Sequence, residues 1–186
     1  TEMQTQLKRC KAIVSGILLS AGEARGESAE RTTVSRFLDE LAEGWEASRH
    51  VRTFIYNNRI AEDLPVASDS ALRQTVDNLL DNALEASPDW VYMDAHIDER
   101  TLVLTVFDRG PGFAPSMLAH FGKPYHSTKG KPGGGLGLFL AVNVVRKLGG
   151  TVTARNRRQD EGGGAEVSVR LPLAAIELEE TDDAES

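Results

Sequence analysis

Cysteine is all but missing: Cys10 is alone among 186 residues. A single thiol excludes an internal disulfide and a metal cage built on thiolates. Long apolar runs are missing too. No stretch approaches the ~18 residues that a membrane-crossing helix needs, and no secretory leader opens the chain. The chain begins at Thr1 in mid-pattern, as expected of a piece cut from a longer protein. Bases are absent from residues 177–186, which hold six acids; the net charge of −7 therefore leaves the remainder near −1. That balance argues against nonspecific nucleic-acid binding and says little about the core. What is present is a 40% hydrophobic chain, enough for one globular domain with flanking pieces.

Periodicity lays out the elements. Met3, Leu7, Cys10, Val14, Ile17, Leu18 and Ala21 recur near 3.6 residues, which predicts a helix over 3–25 with one apolar stripe to set against another helix. The polar stretch 22–28 is a linker. Thr32 or Thr33 caps a second helix to about Arg49, with Val34, Phe37, Leu38, Leu41 and Trp45 inward. Val51–Tyr56 alternates as a strand, Asn57-Asn58 is a turn, and Leu64–Val66 is a short strand. A third helix runs from a cap at Ser68 or Asp69 to Ala86, where Pro88 stops it. Trp90–Ile97 and Thr101–Phe107 form a hairpin. A long turn-rich stretch follows, of the kind that is usually functional. The helix Leu136–Leu148 stops on Gly149-Gly150. Thr151–Asn156 and Ala165–Leu171 close the fold around Gly162–Gly164, and an acidic disordered tail begins near 176. Mixed helices and strands with several hairpins predict an α+β two-layer sandwich: a mixed, mostly antiparallel sheet covered on one face by about three helices.

Three stretches carry chemistry. Gly133-Gly134-Gly135 runs straight into the helix at Leu136. Glycine lets backbone amides approach a ligand, and the helix start adds unpaired N–H groups and a positive dipole end, a combination suited to phosphate. It is not a Walker A loop, because no Lys-Ser or Lys-Thr follows the glycines. In the third helix, Asn78 and Asn82 are four apart and share a face beside the apolar stripe of Val76, Leu79, Leu80, Ala83 and Leu84. Asparagine is a poor helix former. Its neutral amide oxygen is a suitable hard ligand for Mg²⁺ that already carries triphosphate charge; the alternative is a solvated polar edge. Asp108-Arg109-Gly110-Pro111-Gly112 leaves a strand end. A carboxylate there accepts from the exocyclic amine of adenine and rejects the carbonyl of guanine; the plain alternative is a strand-exit turn.

Together these stretches resemble the ATP-binding catalytic domain of sensor histidine kinases, part of the ATPase superfamily shared with gyrase and MutL. Asn78–Ala83 resembles its N box, Asp108–Gly112 its G1 box, Phe121-Gly122-Lys123-Pro124-Tyr125 its F box and Gly133–Leu138 its G2 box, all in order. Gly163-Gly164-Ala165 falls where the last glycine motif is expected. The stretch 121–140 further resembles the RegB/PrrB/RoxS redox-responsive branch. The resemblance implies ATP and Mg²⁺ as ligands. Asn82 would hold Mg²⁺, Asn78 the phosphates or their water shell, and Asp108 the adenine, with Gly110 and Gly112 beside the base. Thr128, Lys129, Gly133, Gly134, Gly135, Leu136, Gly137 and Leu138 would line the phosphates, Lys129 with a catalytic role and His126 within reach. Residues 112–135 would form an ATP lid anchored by Phe121. Residues 1–27 would be a remnant of the dimerisation hairpin with its linker, 28–175 the catalytic domain and 176–186 the tail.

Hydrolysing members of that superfamily place a glutamate four residues before the metal asparagine. Here the position is Asn78, which takes no proton, so slow hydrolysis is expected and a histidine nucleophile from elsewhere is awaited. His50, His96, His120 and His126 all lack the phosphoacceptor setting, so this chain should not phosphorylate itself. The resemblance implies a cytoplasmic domain of a membrane-anchored bacterial sensor kinase, homodimeric at full length, acting with its own phosphoacceptor domain and a response regulator, without nucleic-acid or membrane contact by this chain. Cys10 would fall on the hairpin helix, where an intermolecular disulfide would serve redox control. The rivals are an anti-sigma-type serine kinase, a non-catalytic scaffold of the same fold, and a hydrolytic clamp disfavoured by Asn78.

Overall fold

A computed structural model of the chain describes residues 30–121 and 136–178, together with Met3. The expected helix over 3–25, Cys10 and most of the acidic tail lie outside the described residues.

The elements follow the apolar spacing. Strand β1 (Arg31–Thr33) turns directly into helix α1 (Val34–Ser48), whose first turn is capped by the Thr33 side chain accepting from the Arg36 N–H. Val34, Phe37, Leu38, Leu41 and Trp45 are all buried, as their spacing requires. Strands β2 (Phe54–Asn58) and β3 (Pro65–Ala67) follow. Helix α2 (Ser70–Ala86) starts at Asp69, whose carboxylate accepts from the Ala71 and Leu72 amides at 2.7 and 3.3 Å, and ends at Ser87, ahead of Pro88. The hairpin β4 (Val91–Asp98) and β5 (Thr101–Asp108) turns on Glu99 in the left-handed region (φ 54°). A short helix α3 (Pro115–Ala119) sits inside the stretch expected to be loop, with proline in its first turn. Helix α4 (Leu136–Lys147) stops at Gly149 (φ 76°), and the Gly150 N–H returns to the Val145 carbonyl at 2.9 Å. Strands β6 (Thr151–Asn156) and β7 (Ala165–Pro172) finish the sheet.

The main sheet has the order β2-β4-β5-β7-β6, with β2 and β4 parallel and every other pair antiparallel. One face carries Val91, Met93 and Ala95 beside Leu102, Leu104 and Val106 of β5 and Val167, Val169 and Leu171 of β7, all buried. Helices α1, α2 and α4 cover that face and complete the core. This is the expected α+β sandwich. Each fully buried large side chain contributes ~1.5–3 kcal/mol, so the seam of α2 against α4 and β5 is held firmly in place.

Three expectations are corrected. The second strand reaches Asn58 and does not break at Asn57-Asn58. Both asparagines find distant partners: Asn57 donates to Asp94 at 2.9 Å, and Asn58 to Ser35 and Asp39 at 2.7 and 2.8 Å. A second, two-stranded sheet pairs β1 with β3. The ordered chain also runs past 176. Ile176 is buried, Glu177 bridges Val66 across β3 and pairs with Arg100, and the Leu178 N–H donates to the Pro65 carbonyl at 3.0 Å.

Candidate functional site

Strand parity decides where Asp108 points. It is the last residue of β5 and stands opposite Val91, so it shares the helix-covered face with Val106 and Leu104. A carboxylate there is buried, with 3% of its surface exposed. Its Oδ1 accepts from the Gly110 amide at 2.8 Å and the Ala165 amide at 3.1 Å. Among the described residues Oδ2 takes no hydrogen bond. Burial pushes the Asp108 carboxyl up, opposed by the Gly110 and Ala165 amides and by the charge of Arg157. The group is thus a fixed acceptor, one oxygen held by backbone and, among the described residues, the other left for a donor.

The backbone around it is close-packed. A Cβ on Gly110 would lie 2.5 Å from the Ala86 carbonyl oxygen, so only glycine lets this turn pass the end of α2. Gly164 (φ 79°) lies directly against the Asp108 carbonyl, where a Cβ would overlap it. The Arg157 guanidinium donates to that same carbonyl at 3.2 Å and stands 5.3 Å over the Phe107 ring. Gly112 (φ 78°) sits under the Asn156 side chain, which accepts from the Phe113 N–H at 2.7 Å and donates to the Phe113 carbonyl at 2.8 Å. Phe113 then meets Phe121 edge-on, ring centres 5.9 Å apart.

Helix α2 supplies the second wall. Its buried stripe is Leu72, Thr75, Val76, Leu79, Leu80 and Ala83, with Leu84 partly buried. Asn78 and Asn82 flank it, both half-exposed. Asn78 faces the start of α4: a Cβ on Gly137 would lie 3.6 Å from its amide carbon, and Gln74 donates to its Oδ1 at 3.1 Å. Leu136 and Gly137 stay partly exposed at the helix start, while Leu138 is buried in the core. The start of α4 and the Asn78 amide therefore meet at one seam, and α2 also packs against β5, the strand that ends at Asp108. Thr128, Lys129, His126, Gly133, Gly134 and Gly135 lie outside the described residues.

The acids near Asn78 are otherwise employed. Asp81 accepts from the Trp45 indole at 2.9 Å and from Arg49 at 2.8 and 3.0 Å, tying α2 to α1. Asp77 lines the α1–α2 groove with Trp45, Arg49 and Arg73. Burial, then the charge of Asp81, pushes its carboxyl up, against the pull of Arg49 and Arg73. Among the described residues no cluster of three or more His, Cys, Asp or Glu could hold a metal ion.

The model of the histidine kinase-, DNA gyrase B- and HSP90-like ATPases matches residues 67–175, more than half of the chain. The chain belongs to this ATPase family. It is homologous to the ATP-binding domains of sensor histidine kinases. Over 126 residues it is 38% identical to the C4-dicarboxylate transport sensor protein DctB of Pseudomonas aeruginosa, a match that covers 62% of this chain and 20% of that protein. Over 153 residues it is 34% identical to the sensor histidine kinase GtrS of the same organism, covering 81% and 30%. The chain thus spans less than a third of the length of these curated relatives. Among solved structures, the mycobacterial sensor histidine kinase MprB matches at a TM-score of 0.60 and 25% identity, over 77% of this chain and 97% of that one. Full-length ShkA in complex with AMPPNP matches at 0.68 and 22% identity, over 95% and 37%; that likeness concerns the fold.

Sequence reasoning missed Asn156, Arg157 and the Ala165 amide. Asn156 and Arg157 only acquire meaning beside Phe113 and Asp108, more than forty positions away in the chain. Glycine clustering at 162–164 was the one available hint that backbone approaches something there.

Proposed function

We propose that this chain is the ATP-holding catalytic domain of a two-component sensor histidine kinase. The observation that carries the reading is Asp108: a buried carboxylate with one oxygen fixed by two amides and the other left to accept from adenine's amine. Guanine offers a carbonyl there and leaves two acceptors facing each other. The start of α4 would take the phosphates, with Asn78 at the same seam. Gly133–Gly135, Thr128 and Lys129 are assigned to the phosphates by family resemblance.

Mg²⁺ fits as an ion that arrives with the nucleotide. Neutral amide oxygen, that of Asn82 foremost, would hold the metal, so its charge would have to be met by phosphate. Bound, it would supply positive charge to offset that of the phosphates. The chain's own part is to orient the nucleotide and to withhold a base: Asn78 takes no proton, Asp81 is committed to Trp45 and Arg49, and Asp77 faces the α1–α2 groove. Water is left unactivated, and the phosphoryl group goes to a histidine presented by another domain.

The partners that follow are the phosphoacceptor domain of the same kinase, a second protomer and a response regulator. The setting is the cytoplasmic side of a bacterial membrane sensor; no described helix is long and apolar enough to cross a membrane. Assignment to the redox-responsive branch rests on the resemblance of residues 121–140, and control through Cys10 is its corollary. Non-reducing gels of a longer dimeric protein and its Cys10→Ser variant test it: equal mobility for both removes the idea.

The deciding experiment is calorimetric titration with a non-hydrolysable ATP analogue, with and without Mg²⁺. Binding should be clear, absent with GTP, lost in Asp108→Asn, and stripped of its Mg²⁺ dependence in Asn82→Ala. A wild type that binds no adenine nucleotide would overturn the proposal and favour a scaffold role.

A further inference from the structure

We infer that Asn156 is a positioning residue for the nucleotide: its side-chain amide holds the base-side wall of the site in place. The inference rests on the reading of Asp108 above and assigns a role to a residue outside every glycine or asparagine motif of the sequence.

The wall is the short turn from Asp108 to Phe113, and its composition makes it pliable. Two of its residues are glycines, and Gly112 occupies the left-handed region. A glycine-rich turn left to itself samples many conformations, and ordering it would be charged against binding. Here both ends are clamped. At the start, Asp108 Oδ1 collects the Gly110 and Ala165 amides. At the end, Asn156 accepts from the Phe113 N–H and donates to the Phe113 carbonyl. One primary amide thus reproduces both halves of a strand-pairing contact.

The two clamps are joined. Asn156 is the last residue of β6 and stands in register with Ala165, the first residue of β7. Ala165 is the residue whose amide reaches Asp108. The circuit therefore closes: Asp108 to Ala165, across the β6–β7 pair to Asn156, to Phe113, and back along the turn through Gly110. Gly112 completes the fit, since any Cβ there would lie 2.7 Å from Asn156 Oδ1. The frame borrows the rigidity of the central sheet for a turn with little of its own. Alanine at 156 keeps β6 paired and releases only the turn.

The test uses the chain itself, titrated with AMPPNP and with ADP, in wild type, Asp108→Asn and Asn156→Ala. Asn156→Ala should bind both nucleotides about fivefold more weakly, by the same factor for each, because the frame acts on the base side. Its thermal midpoint should stay within about 3 °C of wild type, and hydrogen exchange at the Phe113 amide should accelerate. Should Asn156→Ala lose its folded far-UV spectrum, Asn156→Ser takes its place and the same affinities decide. Unchanged affinity in a folded variant, an unchanged Phe113 amide, or a loss confined to AMPPNP overturns the role of Asn156 while leaving ATP binding intact. A wild type that binds neither nucleotide sinks the ATP reading itself, and this inference with it.

Discussion

The backbone N–H of Ala165 donates to Oδ1 of Asp108 at 3.1 Å, joining residues 57 positions apart. Asp108→Asn keeps an oxygen for this bond and turns the other position from acceptor to donor, so the amine of adenine meets a donor. Nucleotide affinity should fall at least ~10-fold with the fold retained, as read by titration beside a circular dichroism melt. Burial pushes the Asp108 carboxyl up. Its folded-state pKa therefore lies above the unfolded one, and this group favours folding below that window and opposes it once ionised above. Without ligand at neutral pH, Asp108→Asn should accordingly melt no lower than wild type.

Asp94 has the opposite sign. It is buried on the face of the sheet opposite the helices, gripped by Arg59 at 2.6 and 2.9 Å and contacted by Asn57 and His96. Burial pushes its carboxyl up, and the bonds from Arg59, His96 and Asn57 outweigh that and hold it at about 2. The stability it contributes is present above the unfolded value of about 4 and lost as pH falls toward 2. Arg59 is half-exposed, so ~1–2 kcal/mol is expected. Urea midpoints of wild type and Asp94→Asn, measured from pH 7 down to pH 2, should converge at the acid end.

Glycines at different places should answer differently to alanine. Gly44 lies mid-helix in α1 with nothing within 4 Å of its missing Cβ, so Gly44→Ala should stabilise by about 1 kcal/mol. Gly110→Ala forces a methyl against the Ala86 carbonyl and should cost ~1–3 kcal/mol, weakening nucleotide binding as the turn shifts. Denaturant titration of the pair checks both signs.

Asp81 belongs to the scaffold. It accepts from Trp45 and Arg49 and locks α2 to α1. Asp81→Ala should cost about 1–2 kcal/mol, since the Trp45 indole loses its acceptor and the ion pair is half-exposed. Kd for nucleotide should stay within about twofold once the variant is measured well below its melting temperature. A large loss of affinity with unchanged stability would instead give Asp81 a place in the site.

Elements with strong periodicity are legible in the sequence alone. The stripes of α1 and α2 and the alternation in β4 and β5 each report a face that must be buried, and burial is a local pattern. Asp108 was legible as a polar residue ending an apolar strand. What escaped depends on partners far along the chain. Asn57 and Asn58 have turn chemistry, yet their side chains are spent on Asp94, Ser35 and Asp39. Strand β1 has three residues, too few for alternation to show, so its pairing with β3, the short strand expected at Leu64–Val66, went unread. Asn156 closes an ordinary strand, and only its bonds to Phe113 reveal its use.

The small ribbon at the edge of the fold has a mechanical meaning. Strand β3 is flanked by β1 on one side and touched by Glu177 on the other, both running antiparallel to it. Residue 31 therefore lies beside Ala67 on one edge of β3 and residue 178 beside Pro65 on the other. Tension applied between residues 30 and 178 would load this ribbon in shear and leave the five-stranded sheet, with Asp108 at its end, slack. A pull on the chain would load the ribbon before it reached the turn at Asp108.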